Sequence, residues 1–239
     1  MNIHQRYRFI FSFSAAVLLA SCASNEIGQS KDVNPETIYQ QYRLEYNENE
    51  KNAEMIALFR FAGENGTTLV LTGPSKFEYD SNVVKVDSSS FGGAFYKATT
   101  PEEKIIGKHT LLFEDIDKKK YENIFSVDSF GVTDVPQSVS RLVPALIKFN
   151  APVLQGEDYI ELSSDGTDSS FTIKQVAGEK GDYITIPVEL LQRQKKSEFF
   201  LIATLYRKFN LRNQTKEGGA ITTTQTLKPI KIQLKEEAL

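Results

Sequence analysis

The sequence predicts an all-β protein folded as two tandem β-sandwiches. Apolar and polar residues alternate with period two in short runs from Ile38 to Leu234, and Gly, Pro, Asn and Asp cluster between the runs. Two blocks, residues 35–130 and 141–236, each match the roughly 100 residues of one sandwich domain. One large sandwich is the alternative arrangement, since no residue-level repeat relates the two blocks.

The elements follow in order. Arg6 and Arg8 precede an apolar run that begins at Phe9 and ends at Leu19-Ala20-Ser21-Cys22. The run is shorter than the roughly 20 residues of a membrane-spanning helix, and no later segment approaches that length. Charge, apolar core and small residues in that order read as a secretory signal over residues 1–21, cut between Ser21 and Cys22. Residues 22–34 are polar and aperiodic, a flexible tether that Pro35 closes.

In the first block Ile38, Tyr42, Leu44 and Tyr46 share one strand face, and Ala53, Met55, Ala57, Phe59 and Phe61 repeat the pattern. Glu64-Asn65-Gly66 turns the chain into 67–71, and Thr72-Gly73-Pro74 ends that run. His109, Leu111 and Phe113, then Tyr121, Asn123, Phe125 and Val127, form a hairpin around the polar tip 115–120. Residues 131–140, with Pro136 and few large apolar side chains, read as a linker. In the second block Ala145/Ile147/Phe149, Phe171/Ile173 and Ile184/Ile186 alternate. Phe199, Leu201, Ala203 and Leu205 form a long strand whose other face, Phe200, Ile202 and Tyr206, is also apolar, which predicts a central strand covered on both sides. A short helix after Pro187 fits 188–196. Ile230, Ile232 and Leu234 alternate with Lys231, Gln233 and Lys235 in a half-exposed final strand. The architecture is immunoglobulin-like, without the Cys…Trp…Cys core of antibody domains, because the chain has no Trp and a single Cys.

Charge narrows the function classes. Lys and Arg number 28 against 31 Asp and Glu; without residues 1–21, and so without Arg6 and Arg8, 218 residues remain with a net charge of −5. A mildly acidic body argues against nucleic acid as a partner. Residues 23–131 carry 12 basic and 18 acidic side chains while 132–239 carry 14 and 13, which supports a boundary between the blocks. With Cys22 as the only cysteine there is no disulfide, so the fold rests on its cores.

No constellation of catalytic residues emerges. His109 is the one histidine after the signal, no Gly-x-Ser-x-Gly turn accompanies it, and it reads as a surface or strand-packing residue. Carboxylate pairs abound, yet spacing singles out none, and Glu102-Glu103 after Pro101 looks like a solvated turn. The oxygen-rich stretches 165–170 and 114–117 lack the spacing of a calcium loop and read as turns, with Lys118-Lys119-Lys120 beside the second repelling a cation. No metal or cofactor is implied. Two basic groups, Arg193/Lys195/Lys196 and Arg207/Lys208/Arg212, either join into an anion-binding patch or are solvated loop charges. Phe91, Phe95 and Tyr96 around Gly92-Gly93 are either an exposed aromatic cluster or a glycine-kinked strand with its rings in the core.

Leu19-Ala20-Ser21-Cys22 resembles the lipobox of bacterial lipoproteins. The resemblance covers residues 6–22 and implies cleavage before Cys22, diacylation of its thiol and acylation of the new N-terminus. Ala23, where an Asp often signals retention at the inner membrane, implies the outer membrane of a Gram-negative bacterium. The chain as a whole resembles small outer-membrane lipoproteins. That implies a lipid-anchored, non-enzymatic envelope protein that binds another envelope protein in a structural or accessory role. A surface glycan-binding lipoprotein is the alternative, and a lipid-anchored hydrolase the third reading.

Overall fold

The computed structural model describes residues 27–89, 93–164, 169–179 and 181–235. The first block contains β1 (Ile27–Gln29), β2 (Ile38–Asn47), β3 (Asn52–Phe61), β4 (Thr67–Val70), β5 (Lys76–Tyr79), β6 (Asn82–Val83), β7 (Val86–Ser89), β8 (Gly93–Pro101), β9 (Gly107–Glu114) and β10 (Lys120–Val127). The chain continues through β11 (Gly131–Asp134), β12 (Ser138–Val139), β13 (Ala145–Asn150), β14 (Tyr159–Ser164), β15 (Thr172–Val176), β16 (Tyr183–Ile186), β17 (Glu198–Asn210), β18 (Gly219–Thr226) and β19 (Ile230–Leu234). The fold is all-β, and among the described residues the one α-helix is α1 (Val188–Arg193), which buries Leu191 in the second core. Pro187 stands one place ahead of the helix, as its N-cap.

Two sandwiches share one sheet. A 12-stranded sheet runs through both blocks in the order β1-β4-β3-β2-β18-β17-β14-β15, with β7, β8, β12 and β19 attached. Its central pairing is parallel and joins the blocks, Tyr42 lying opposite Ile221 and Tyr46 opposite Gln225. A four-stranded sheet, β10-β9-β5-β6, covers the first half, and a three-stranded sheet, β11-β13-β16, covers the second. Both small sheets lie on the same face of the large one. Along β17, Phe199, Leu201, Ala203 and Leu205 enter the second core and Phe209, of the same parity, packs on the first.

Period-two patterning explains the inner face. Every second residue of β2 from Ile38 to Leu44 is buried, and so is every second residue of β3 from Ala53 to Phe59. A polar strip separates the two cores on this face. The Arg207 guanidinium meets the carboxylates of Asp128 and Asp158, and Asp158 Oδ1 accepts from Lys208 N at 3.0 Å. Gln225 Nε2 donates to the Asp128 carbonyl at 3.1 Å.

Three expectations change. The tether is shorter than residues 22–34, because from Ile27 the chain is built into the fold. β1 pairs in parallel with β4, and Ser30 is buried with its Oγ accepting from Thr72 N at 2.9 Å. The linker 131–140 contains paired strand: β11 runs against β13, and β12 runs parallel to β19. Backbone pairing and a few apolar side chains, Val132 and the buried Val139 on the second core, hold these pieces, and their shortness concealed them. β17 is central as predicted, paired with β14, β18 and β19, yet among the described residues a core covers it on one side only. Among the described residues no second layer lies over Ile202, Thr204 and Tyr206. Phe200 is 36% exposed and those three are half-buried by neighbours in their own sheet.

Candidate functional site

Among the described residues, the face of the 12-stranded sheet turned away from both cores is open. Register places Tyr206, Thr224, Glu45, Glu54 and Thr99 in one row across five strands. Lys208, Thr222, Arg43, Ile56 and Lys97 form the next row. Thr222, Thr224 and Thr226 make a half-buried threonine ladder along the seam between the blocks. Charges on this face are mostly paired: Lys97 with Glu54, Arg43 with Glu45 at 3.6 Å, and Lys174 with Glu161 at 3.3 Å. The surface is thus mixed in polarity with its charges largely paired, and Glu45, Glu54, Thr224 and Thr226 line a shallow hollow of about 370 Å³ in it.

Its aromatic feature is Tyr159 on β14 against Tyr206 on β17, stacked at 4.9 Å between centroids and 18° between planes. Lys174 Nζ, from β15 on the other side of β14, stands 4.3 Å above the Tyr159 ring. Each ring therefore covers one face of the other. Burial, the largest cause, pushes the Tyr206 hydroxyl above its ordinary pKa, while nearby Lys208 pulls it down. Sequence alone did not expose this pair, because 47 residues of chain separate partners that only the register brings together.

His109 is buried. Its Nε2 donates to the Ile105 carbonyl at 2.7 Å, and Nδ1 lies 2.8 Å from Asp80 Oδ2 and 2.9 Å from the Tyr79 hydroxyl. Asp80 and Ser81 adopt positive φ in the two-residue β5–β6 turn, which aims the Asp80 carboxylate at β9, where Oδ1 also accepts from Thr110 N at 2.8 Å. Desolvation pushes the Tyr79 hydroxyl up to about 12, and it accepts from Thr100 Oγ1 at 3.2 Å. This network packs His109 between β5 and β9, with Asp80 at its solvent edge.

The remaining predicted residues scatter. Ser21 and Cys22, the cleavage and lipidation residues, lie outside the described residues, as do Phe91 and the stretch 165–168. Asp115 organises the β9–β10 turn, its Oδ1 accepting from Asp117 N and Lys119 N at 2.9 Å each. Among the described residues no group of three or more His, Cys, Asp or Glu is placed to hold a metal ion. The two basic groups do not join. Arg193 ends α1 near the start of β17, Arg212 lies past the far end of β17, and Arg207 is tied to Asp128 and Asp158. Tyr96 is buried, its hydroxyl accepting from Leu71 N at 2.7 Å, while Phe95 is half-buried on the open face. Gly93 has φ +72°, and a Cβ there would run into Thr68 Oγ1, so the kink needs glycine. Other hollows open among the described residues. One of about 450 Å³ is lined by Val153, Leu154, Ile160, Gln175 and Asp182; another, about 520 Å³ at the seam, by Tyr46, Glu48, Phe130, Lys228 and Ile230.

No family model matches this chain, and no curated protein matches it. Among solved structures it is similar to the crystal structure of DIP-gamma IG1+IG2, at 10% identity and a TM-score of 0.23, covering 83% of this chain and 96% of that one. It is also similar to the Bacteroides ovatus mixed-linkage glucan utilization locus protein SGBP-B in complex with a mixed-linkage heptasaccharide. That match has 12% identity and a TM-score of 0.22, and covers 77% of this chain and 52% of that one. At such TM-scores neither superposition carries an argument. The all-β sandwich class stands on the sheets themselves, and among the described residues no helix is long and apolar enough to cross a membrane.

Proposed function

We propose that this chain is a lipid-anchored envelope protein of the outer membrane, held through Cys22, that catalyses no reaction and binds another envelope protein through the open face of its large sheet. The open face carries this reading. It is built on strands of both sandwiches, and around the buried Leu58 it combines half-buried Tyr39, Ile56, Tyr159, Ile202 and Tyr206 with paired charges. The shared sheet fixes the two halves of such a face relative to each other, so a partner meets one preorganised surface.

The test is photo-cross-linking in intact cells from Thr204 and Thr222 on the open face, with Glu122 on the outer side of the four-stranded sheet as control. One envelope protein captured from both open-face positions and not from Glu122 supports the reading. Equal capture from all three positions, or none at all, sinks it. The glycan-binding alternative draws on the Tyr159–Tyr206 pair. Stacking a sugar needs an open ring face, and Tyr206 and Lys174 occupy both faces of Tyr159. Retention of the soluble 23–239 fragment on a polysaccharide panel, lost in Tyr206→Ala, would favour that alternative.

A further inference from the structure

We infer that the end of the first sandwich formed by Ile27, Phe61 and the β3–β4 turn faces the bilayer that holds the acyl chains, with the second sandwich standing away from it. The inference rests on the lipid-anchor reading of Cys22. Its structural basis is where the chain enters the fold. β1 runs parallel to β4 with Ile27 opposite Thr68, so entry is at the β4 start, beside the turn that follows Phe61. The entry is stitched down. Gln29 lies opposite Val70, Lys31 N donates to Thr72 Oγ1 at 3.3 Å, and a Cβ on Gly28 would stand 2.9 Å from Leu69 Cδ2.

Reach then decides orientation. Residues 23–26 alone separate Cys22 from Ile27, and fully extended chain spans about 3.6 Å per residue, so Ile27 lies within roughly 18 Å of the lipidated residue. A free tether running to residue 34 would have reached about 40 Å and allowed any side of the body to meet lipid. Two apolar side chains stand exposed at this end, Ile27 at 41% and Phe61 at 40%. Basic side chains near it are offset by acids, Lys119 being paired with Glu36, so attachment rather than charge selects this end.

The opposite direction is set by β17. It starts at Glu198 in the second sandwich and ends at Asn210, which pairs with Ala220 near the start of β18. Gly219 at that start lies opposite Gln40, close to Ile38, which pairs with Phe61. Thirteen residues of strand cover about 43 Å, so the Glu198 end of the second sandwich, with α1 just before it, is lifted from the membrane by that order of distance, and the near end, where Tyr206 faces Tyr159, by roughly 13 Å. The open face then stands along the membrane normal and is presented sideways.

Cys22 is the sole cysteine and its thiol is taken by lipid, so an introduced cysteine can be labelled selectively. Lipidated Glu64→Cys and Glu189→Cys, both at exposed positions, are labelled with a fluorophore and reconstituted in phosphatidylcholine–phosphatidylglycerol vesicles carrying a headgroup nitroxide quencher. The label at 64 should be quenched several-fold more than the label at 189. Equal quenching, or stronger quenching at 189, overturns the orientation. Intact mass of the same samples separates the two readings: missing acyl mass on Cys22 overturns the anchor and the orientation together. Acyl mass present with equal quenching overturns the orientation alone.

Discussion

The two sandwiches close their cores with different materials. The first interlocks rings: Phe59 contacts Tyr42, Phe77, Tyr96 and Phe113 at centroid distances of 4.6–6.0 Å, and Phe113 stacks on Tyr121 at 5.6 Å. The second is mainly aliphatic, built on Ile147, Ile160, Leu162, Ile184, Ile186, Leu191 and Leu201, with Phe171 against Phe199 at its margin. Rings in edge and offset contact are directional, so the first core specifies geometry. Branched aliphatics fill volume and tolerate exchange, so the second core specifies size. The halves nevertheless share a sheet, and the polar strip around Arg207 is where the two kinds of packing meet.

That contrast can be broken in steps of decreasing size. Phe59→Ala removes the hub of the ring cluster and should cost about 3–5 kcal/mol, read as a lower urea midpoint. Because the sheet is shared, the wild-type chain should melt in one calorimetric transition. Two resolved transitions would mean that the cores are independent. Arg207→Ala leaves Asp158, 3% exposed, without its guanidinium. A loss of about 2–4 kcal/mol is expected, below the fully buried case because Asp128 is half exposed, together with a broadened or split transition. Asn123 Oδ1 accepts from Arg212 N and Asn213 N at 2.9 and 3.0 Å, clamping the loop after β17 onto the edge of β10. Asn123→Ala should cost about 1–3 kcal/mol and raise amide exchange at 212–213. Ile147→Leu in the aliphatic core should stay below about 1.5 kcal/mol. The smallest change is Lys174→Ala, about 0.5–1 kcal/mol from the cation over Tyr159, with no change in cooperativity.

Much of the fold was legible because one rule governs it. Where a strand faces a core on one side, alternation names both its existence and its inner face, as in β2, β3 and the β9–β10 hairpin. The pattern failed in β1, β11 and β12, which are only two to four residues long, so that single apolar side chains such as Val132 and Val139 reach the second core without a visible alternation. It also misread β17: Phe200, Ile202 and Tyr206 suggested a buried second face, and lateral neighbours supply that shelter instead. The candidate face itself was not legible. It exists only through register between strands remote in sequence, such as Tyr46 opposite Gln225, and no local pattern encodes which strands become neighbours.

The β2–β18 seam also dictates an order of assembly. β2 is complete within the first 47 residues, yet its parallel partner ends at Thr226. A chain made from its N-terminus therefore holds an unpaired ten-residue edge until almost all of it has been synthesised. Loop closure across some 180 residues makes this seam a late event, so folding should be slow relative to the hairpins on either side. A circular permutation that starts at β18 and links the end after β19 to β1 would place β18 ahead of β2 with only β19 and β1 between them, shorten that search and speed refolding, with the finished sheet unchanged.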